Sequence, residues 1–210
     1  EGECGHNRQL REMDALMEAT LTEAEGRMLK SKDGVTGIPT GLTDLDRMTG
    51  GWQNGDMITI AARPSVGKTA FALHLARAAA NAGYHTVVYS LEMQGERLGD
   101  RWILAAGQTD SYLWRSGKLS PEQLREARQT AAELARLPII VDDRSDMSMA
   151  RVRSSARLLQ SKQKRAFIII DYLQLCDMRT DQADRNREQA VAQARSKAQL
   201  LAKALNSPVI

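Results

Sequence analysis

Between Met57 and Leu75 the chain passes from an apolar run, Met57-Ile58-Thr59-Ile60-Ala61-Ala62, through Arg63-Pro64-Ser65-Val66-Gly67-Lys68-Thr69, into a pattern with helical period. A strand, a tight loop and a helix in that order are suited to holding phosphate. Backbone N–H groups at the helix N-terminus point at anionic oxygens, Lys68 supplies a compensating charge, and the Thr69 hydroxyl is of the type that ligates Mg²⁺. The general form of such a loop is G-x-x-x-x-G-K-[ST], and here Ala62 stands at its first glycine. Gly-Lys-Thr alone recurs by composition, so the weight falls on its flanks. Ile58 and Ile60 suit a buried strand; Ala70, Leu73, Ala76, Arg77 and Ala80 suit a helix that opens directly after the loop. Pro64, Ser65, Val66, Gly67, Lys68, Thr69 and Ala70 are therefore the candidate nucleotide-contacting residues.

Two carboxylates close later apolar runs. Thr86-Val87-Val88-Tyr89-Ser90-Leu91-Glu92-Met93 reads as a second strand ending on Glu92. In open parallel sheets the ligand lies beyond the carboxyl ends of the strands, so a glutamate there can polarise a water near the phosphates, the other reading being a solvated residue starting the next helix. Ala166-Phe167-Ile168-Ile169-Ile170-Asp171 is almost continuously apolar, the pattern of a strand buried on both faces. An Asp at that strand's end, in a chain with a phosphate loop, is the expected direct or water-mediated Mg²⁺ ligand, the other reading being a cap on the following turn.

Other elements must position these groups. Arg8 to Leu29 places Leu10, Met13, Leu16, Met17, Leu21, Ala24 and Met28 at helical steps, an amphipathic helix separated from the rest by a polar stretch from Lys30 to Gly34. Its apolar stripe needs a cover, either its own domain folding back or a neighbouring subunit. Val35 to Trp52 is turn-rich, with Thr43 or Asp44 as a cap for a short helix ending at Gly50-Gly51. Gln94 to Ala106 and Pro121 to Leu137 are helical by period, with Pro121 as a first-turn residue behind Ser120. Pro138 to Asp143 reads as a third strand and Ser148 to Lys164 as a helix; Arg151, Arg153, Arg157, Lys162, Lys164 and Arg165, in and just after it, form either a solvated face or a polyanion patch. Asp177 to Arg187 is polar without apolar period, a loop by composition, and Glu188 to Leu205 is an Ala-rich helix leading into a strand at Pro208-Val209-Ile210.

Composition bounds the answer. At 210 residues with 42% hydrophobic and 26% charged, one good core and one domain are expected. A net charge of +3 neither demands nor excludes a polyanionic partner, so charge has to be read locally. Cys4 and Cys176 offer no disulfide framework, which fits a reducing cytoplasm, and Cys4 with His6 lacks a second pair for a metal site. No apolar run approaches the roughly 20 residues of a membrane span.

The alternation of strands and helices predicts an α/β sheet with an ATPase site. The words Ala61-Ala62-Arg63-Pro64-Ser65-Val66-Gly67-Lys68-Thr69, Ser90-Leu91-Glu92-Met93 and Asp171-Tyr172-Leu173-Gln174-Leu175, with Thr36-Gly37-Ile38-Pro39-Thr40-Gly41 upstream, resemble the DnaB-type replicative helicases from about Val35 to Ile210. Those helicases also carry a non-Gly residue where Ala62 stands. The resemblance implies a RecA-like P-loop NTPase fold, with a mostly parallel central sheet flanked by helices and an amphipathic linker helix in front. It divides the chain into a linker segment, 1–34, and a motor domain, 35–210. It implies ATP and Mg²⁺ as cofactors, with Lys68 and Thr69 on phosphate and metal, Asp171 supporting the metal, and Glu92 activating the attacking water. It implies single-stranded DNA as partner, touched by a central-channel loop carrying Arg179, Arg185, Asn186 and Arg187, and a hexameric ring joined through the helix at Arg8 to Leu29. A helicase loader and a primase are further implied partners, in the cytoplasm. The family's amino-terminal helical domain, its sensor glutamine and its arginine finger have no counterpart in the sequence, so a fragment or a shortened relative is expected. A RecA-like recombination or regulatory module, assembling on ATP without unwinding, is the competing expectation.

Overall fold

The computed structural model describes residues 12–30, 34–63, 65–144, 148–162, 166–171 and 187–210. Three parallel strands form its sheet: β1 (His85–Ser90), β2 (Ile139–Asp142) and β3 (Ala166–Asp171), in the order β2-β1-β3. Around them run α1 (Met13–Lys30), α2 (Thr43–Thr49), α3 (Lys68–Asn81), α4 (Gly95–Ala106), α5 (Ser111–Ser116), α6 (Pro121–Leu134), α7 (Met149–Lys162) and α8 (Arg187–Leu205).

Strand periodicity explains the layers. Successive side chains alternate between faces. Val87, Tyr89, Ile168 and Ile170 pack with Val152 and Ala156 of α7 and with Ala198, Leu201, Ala202 and Leu205 of α8. Val88, Phe167 and Ile169 pack on the other face with Ala72, Leu73, Leu75, Ala76 and Ala79 of α3 and Leu98 of α4. Both faces of β1 and β3 are covered: β3 is apolar up to Asp171, whereas β1 also buries the hydroxyl side chains of Thr86 and Ser90. The alanines of α3 let that helix lie close on the sheet, and this fixes the position of its N-terminus.

The expected strand over Met57–Ala62 is corrected. Only Met57 makes a bridge, parallel to Val209, with the Ile58 N–H donating to the Val209 carbonyl at 2.8 Å and the Val209 N–H to the Asp56 carbonyl at 3.0 Å. The segment 208–210 itself lies beside β3, where the Ile170 N–H donates to the Ile210 carbonyl at 2.8 Å. Val209 thus stands between β3 and Met57, and among the described residues the pairing does not run on to Ile60.

Residues 34–52 form a strap over α3. Ile38 and Trp52 exchange backbone hydrogen bonds at 2.9 and 2.8 Å, and the buried Asp46 carboxylate accepts from the Thr40 N–H at 2.8 Å. Neither Thr43 nor Asp44 caps α2, which corrects that expectation: Leu42 is the N-cap, without a side-chain bond, and its N–H donates to Thr40 Oγ1. The helix does end at Gly50, in the left-handed conformation that glycine adopts without Cβ strain.

α6 opens as its sequence predicts, with Pro121 in the first turn and a reciprocal capping box between Ser120 and Gln123. α5 was not anticipated, although its signals are present: Asp110 Oδ1 accepts from the Tyr112 and Leu113 N–H groups, and Gly117 closes the helix at a φ of 67°. α1 exposes Met13, Leu16, Met17, Leu21, Met28 and Leu29, so its apolar side chains are not covered by the described residues.

Candidate nucleotide site at the carboxyl edge of the sheet

The site begins where α3 begins. Gly67, at φ 105° and ψ 21°, sits in a region an L side chain rarely adopts and turns the chain directly into Lys68, the first residue of the helix. Before it Ser65 also has positive φ, 66°, and the Val66 N–H reaches the Arg63 carbonyl at 3.4 Å. Arg63, Ser65, Val66 and Gly67 are exposed, so the loop and the α3 N-terminus face solvent and are open to an anion. Ala70 is likewise exposed on the first turn of α3. Pro64 lies outside the described residues.

Asp171 is the meeting point. It ends β3, directly opposite Ser90 in the register with β1, and is 7% exposed. Thr69 Oγ1 donates to its Oδ2 at 2.8 Å, and Lys68 Nζ lies 3.2 Å from its Oδ1. Side chains 102 and 103 positions apart are therefore in direct contact, because α3 and β3 pack within the same core cluster. The hydroxyl and the carboxylate are hard oxygen donors of the kind a divalent magnesium ion takes, alongside phosphate oxygens and water. Among the described residues no group of three His, Cys, Asp or Glu side chains could hold a metal without such help. The donor set thus suits a metal that arrives with a nucleotide.

Glu92 lies two residues past Ser90, in the turn between β1 and α4, and is exposed. Its backbone is anchored to the same edge: the Leu91 N–H donates to the Asp171 carbonyl at 2.8 Å, and Ser90 Oγ donates to the Met93 carbonyl at 2.7 Å. The structure thus brings Lys68, Thr69 and Asp171 into contact and sets the Glu92 turn beside them. Of the expected DNA-contacting residues, Arg179, Arg185 and Asn186 lie outside the described residues, and Arg187 is described as the first residue of α8.

Sequence reasoning did not find Asp143. Its Oδ2 accepts from the Gly95 N–H at 2.7 Å, joining the end of β2 to the start of α4. Nor did it find the neighbouring pair, in which the Arg144 guanidinium grips Asp142 through two bonds of 2.8 and 2.6 Å and holds that carboxyl below the usual carboxylate range.

A phosphate loop opening a helix on one face of a parallel sheet, with a carboxylate at the end of a neighbouring strand, defines a RecA-like P-loop NTPase domain. The sequence profile described as the DnaB-like helicase C terminal domain matches residues 37–210, so the chain belongs to that family. The chain is 40% identical over 185 residues to the replicative DNA helicase DnaB of Geobacillus stearothermophilus, covering 87% of this chain and 40% of that relative. Two solved structures share the fold at 29% identity and 96% coverage of this chain. One, an ATPase domain, matches with a TM-score of 0.84 over 70% of its length. The other, a DnaB-like replicative helicase described with its interactions with primase, matches with a TM-score of 0.81 over 48% of its length. The chain therefore spans about two fifths of the curated relative.

Proposed function

We propose that this chain is the ATP-hydrolysing motor of a replicative DNA helicase, moving on single-stranded DNA and so separating a duplex. The contact of Lys68 and Thr69 with Asp171 supports this reading above all, together with membership of the helicase family. ATP is the substrate. Backbone N–H groups at the α3 N-terminus receive its phosphates, and Lys68 exchanges Asp171 for phosphate oxygen as the nucleotide enters. Thr69 and Asp171 hold Mg²⁺, which when bound neutralises charge on the transferred phosphoryl group. Glu92 accepts a proton from the attacking water. Lys68 and Glu92 are the catalytic residues, and Ser65, Val66, Gly67 and Ala70, with Pro64, line the nucleotide.

The division into a linker, 1–34, and a motor domain, 35–210, belongs to the same proposal. The exposed apolar side chains of α1 dock on a neighbouring copy and close a hexameric ring. Filling and emptying sites between copies then shifts their placement and drives channel loops along the DNA backbone, through Arg179, Arg185, Asn186 and Arg187. A loader and a primase are proposed partners; the structural neighbour described with its interactions with primase supports the second. No helix among the described residues is long and apolar enough to cross a membrane, and we place the protein in the cytoplasm.

Nucleotide-dependent binding to single-stranded DNA across a salt series tests the reading. ATP-dependent binding should weaken steeply with salt, and Arg185→Ala with Arg187→Ala should reduce the log–log slope by roughly one per lost phosphate contact. Binding indifferent to nucleotide, or a slope unchanged in the double variant, would remove the channel-loop assignment.

A further inference from the structure

Glu92 makes no side-chain hydrogen bond among the described residues, so where its carboxylate points depends on the backbone of residues 90–95. That turn has three ties. The Leu91 N–H continues the sheet ladder to Asp171, the Ser90 hydroxyl closes on the Met93 carbonyl, and Asp143 Oδ2 takes the Gly95 N–H. The third tie is of a different kind. α4 has Gln94 at its N-cap position with no side-chain cap, so the carboxylate that serves its first turn comes from the far side of β1, 48 residues along the chain. Gly95 leaves that carboxylate a little more room: a Cβ there would lie 3.3 Å from Asp143 Oδ2, a contact relieved by a shift of a few tenths of an ångström. Asp143 directly follows β2, whose register with β1 runs to Tyr89–Asp142. The cap is therefore carried on the sheet itself, and the Glu92 turn is fastened to β3 at one end and to β2 at the other.

We infer that Asp143 is a positioning residue for ATP hydrolysis: by capping α4 across the sheet it holds the Glu92 turn in register with Asp171. The inference rests on the proposed role of Glu92. A carboxylate at a helix N-terminus also suits the positive end of the helix dipole, which favours the docked turn over a detached one. Detaching it would release the general base from its place, and a misplacement of about 1 Å costs up to roughly 10²-fold in rate.

The test is steady-state ATP hydrolysis by the protein with saturating single-stranded DNA, comparing Asp143→Ala, Asp143→Asn, Ser90→Ala, Glu92→Gln and the pair Asp143→Ala with Glu92→Gln. Asp143→Ala should lower kcat about ten-fold or more while KM for ATP stays within about two-fold. Asp143→Asn keeps an oxygen acceptor and should recover most of the loss, as asparagine caps about as well as aspartate. Ser90→Ala, which loosens the same turn without touching β2, should also lower kcat selectively, and it carries the test if Asp143→Ala does not fold. In the Glu92→Gln background Asp143→Ala should have little further effect, because it acts through a group already disabled. An equal loss in both backgrounds, a KM rise matching the kcat loss, or an Asn variant as impaired as Ala overturns the inference. Glu92→Gln with undiminished kcat overturns the role of Glu92 itself, whereas an impaired Glu92→Gln beside a normal Asp143→Ala overturns the positioning role alone.

Discussion

Replacing Asp171 with Asn should change nucleotide affinity in opposite directions with and without Mg²⁺. The carboxylate holds both side chains proposed to serve the nucleotide, Lys68 Nζ at 3.2 Å and Thr69 Oγ1 at 2.8 Å. At the first separation two unit charges attract by about 1.3 kcal/mol in bulk water and about 5 kcal/mol at an effective dielectric of 20. The Lys68 side chain is 30% exposed and that of Asp171 is 9% exposed, so screening and desolvation pull the net value toward the lower end. A working figure is about 1 kcal/mol. Without metal, Asp171 competes with phosphate for Lys68 and repels the nucleotide's own charge. Asp171→Asn should therefore bind ATP in EDTA roughly five- to ten-fold more tightly, since about 1.4 kcal/mol is ten-fold. With Mg²⁺ present the carboxylate becomes an anchor, so the variant should bind MgATP more weakly and hydrolyse it at least about 10²-fold more slowly. Calorimetric titration in EDTA and in excess Mg²⁺, on parent and variant, reads both signs. Weakening by the same factor in both conditions would show that Asp171 is a structural partner of Lys68 and not a metal anchor, and the reasoning would fail.

Gly51→Ala should destabilise the protein by about 2 to 4 kcal/mol, from roughly 1 to 2 for a left-handed backbone and the rest from crowding. The backbone there is at φ 79°, and a Cβ would meet the Ile38 carbonyl oxygen at 2.7 Å. Gly83→Ala, at φ 84° with nothing within 4 Å, is the control and should cost only the backbone share; equal losses in chemical denaturation would discount the crowding. Burial pushes the Tyr89 hydroxyl above its ordinary pKa, with the Ser155 hydroxyl 2.7 Å away opposing the shift. A raised folded pKa means that this group's contribution to stability is complete below the unfolded value of about 10 and is lost as pH rises through the folded one. Tyr89→Phe should thus be about 1 kcal/mol less stable near neutrality for want of the hydrogen bond, yet lose less than the parent as pH rises above about 10. A parent whose alkaline loss matches the Phe variant's would contradict this.

Local chemistry was legible where one segment carries all its own signals. The β3 run announced burial on both faces, Ser120-Pro121 announced a helix start, and Gly67-Lys68-Thr69 announced the turn into α3. Asp171 could be placed at a strand end from its own neighbours, and the structure sets it against Thr69. Pairing across the chain was less legible. Met57–Ala62 has the composition of a strand, but a strand needs a partner, and among the described residues Val209 alone bridges to it, at Met57. Thr43 and Asp44 are good capping types, but the backbone at Leu42 is already held by Thr40. Asp143 looked like the tail of an apolar run, because nothing around it says that its carboxylate reaches a helix 48 residues upstream. α5 is hidden from apolar period because so short a helix shows none; only the Asp110 and Gly117 signals bound it.

Strand displacement from a forked DNA duplex, followed alongside ATP consumption, tests the central claim most directly. With Mg²⁺ and ATP the protein should release the displaced strand, and Lys68→Ala should abolish both displacement and hydrolysis. ATP hydrolysis that responds to single-stranded DNA yet never displaces a strand would contradict the motor account and leave an assembly ATPase in its place.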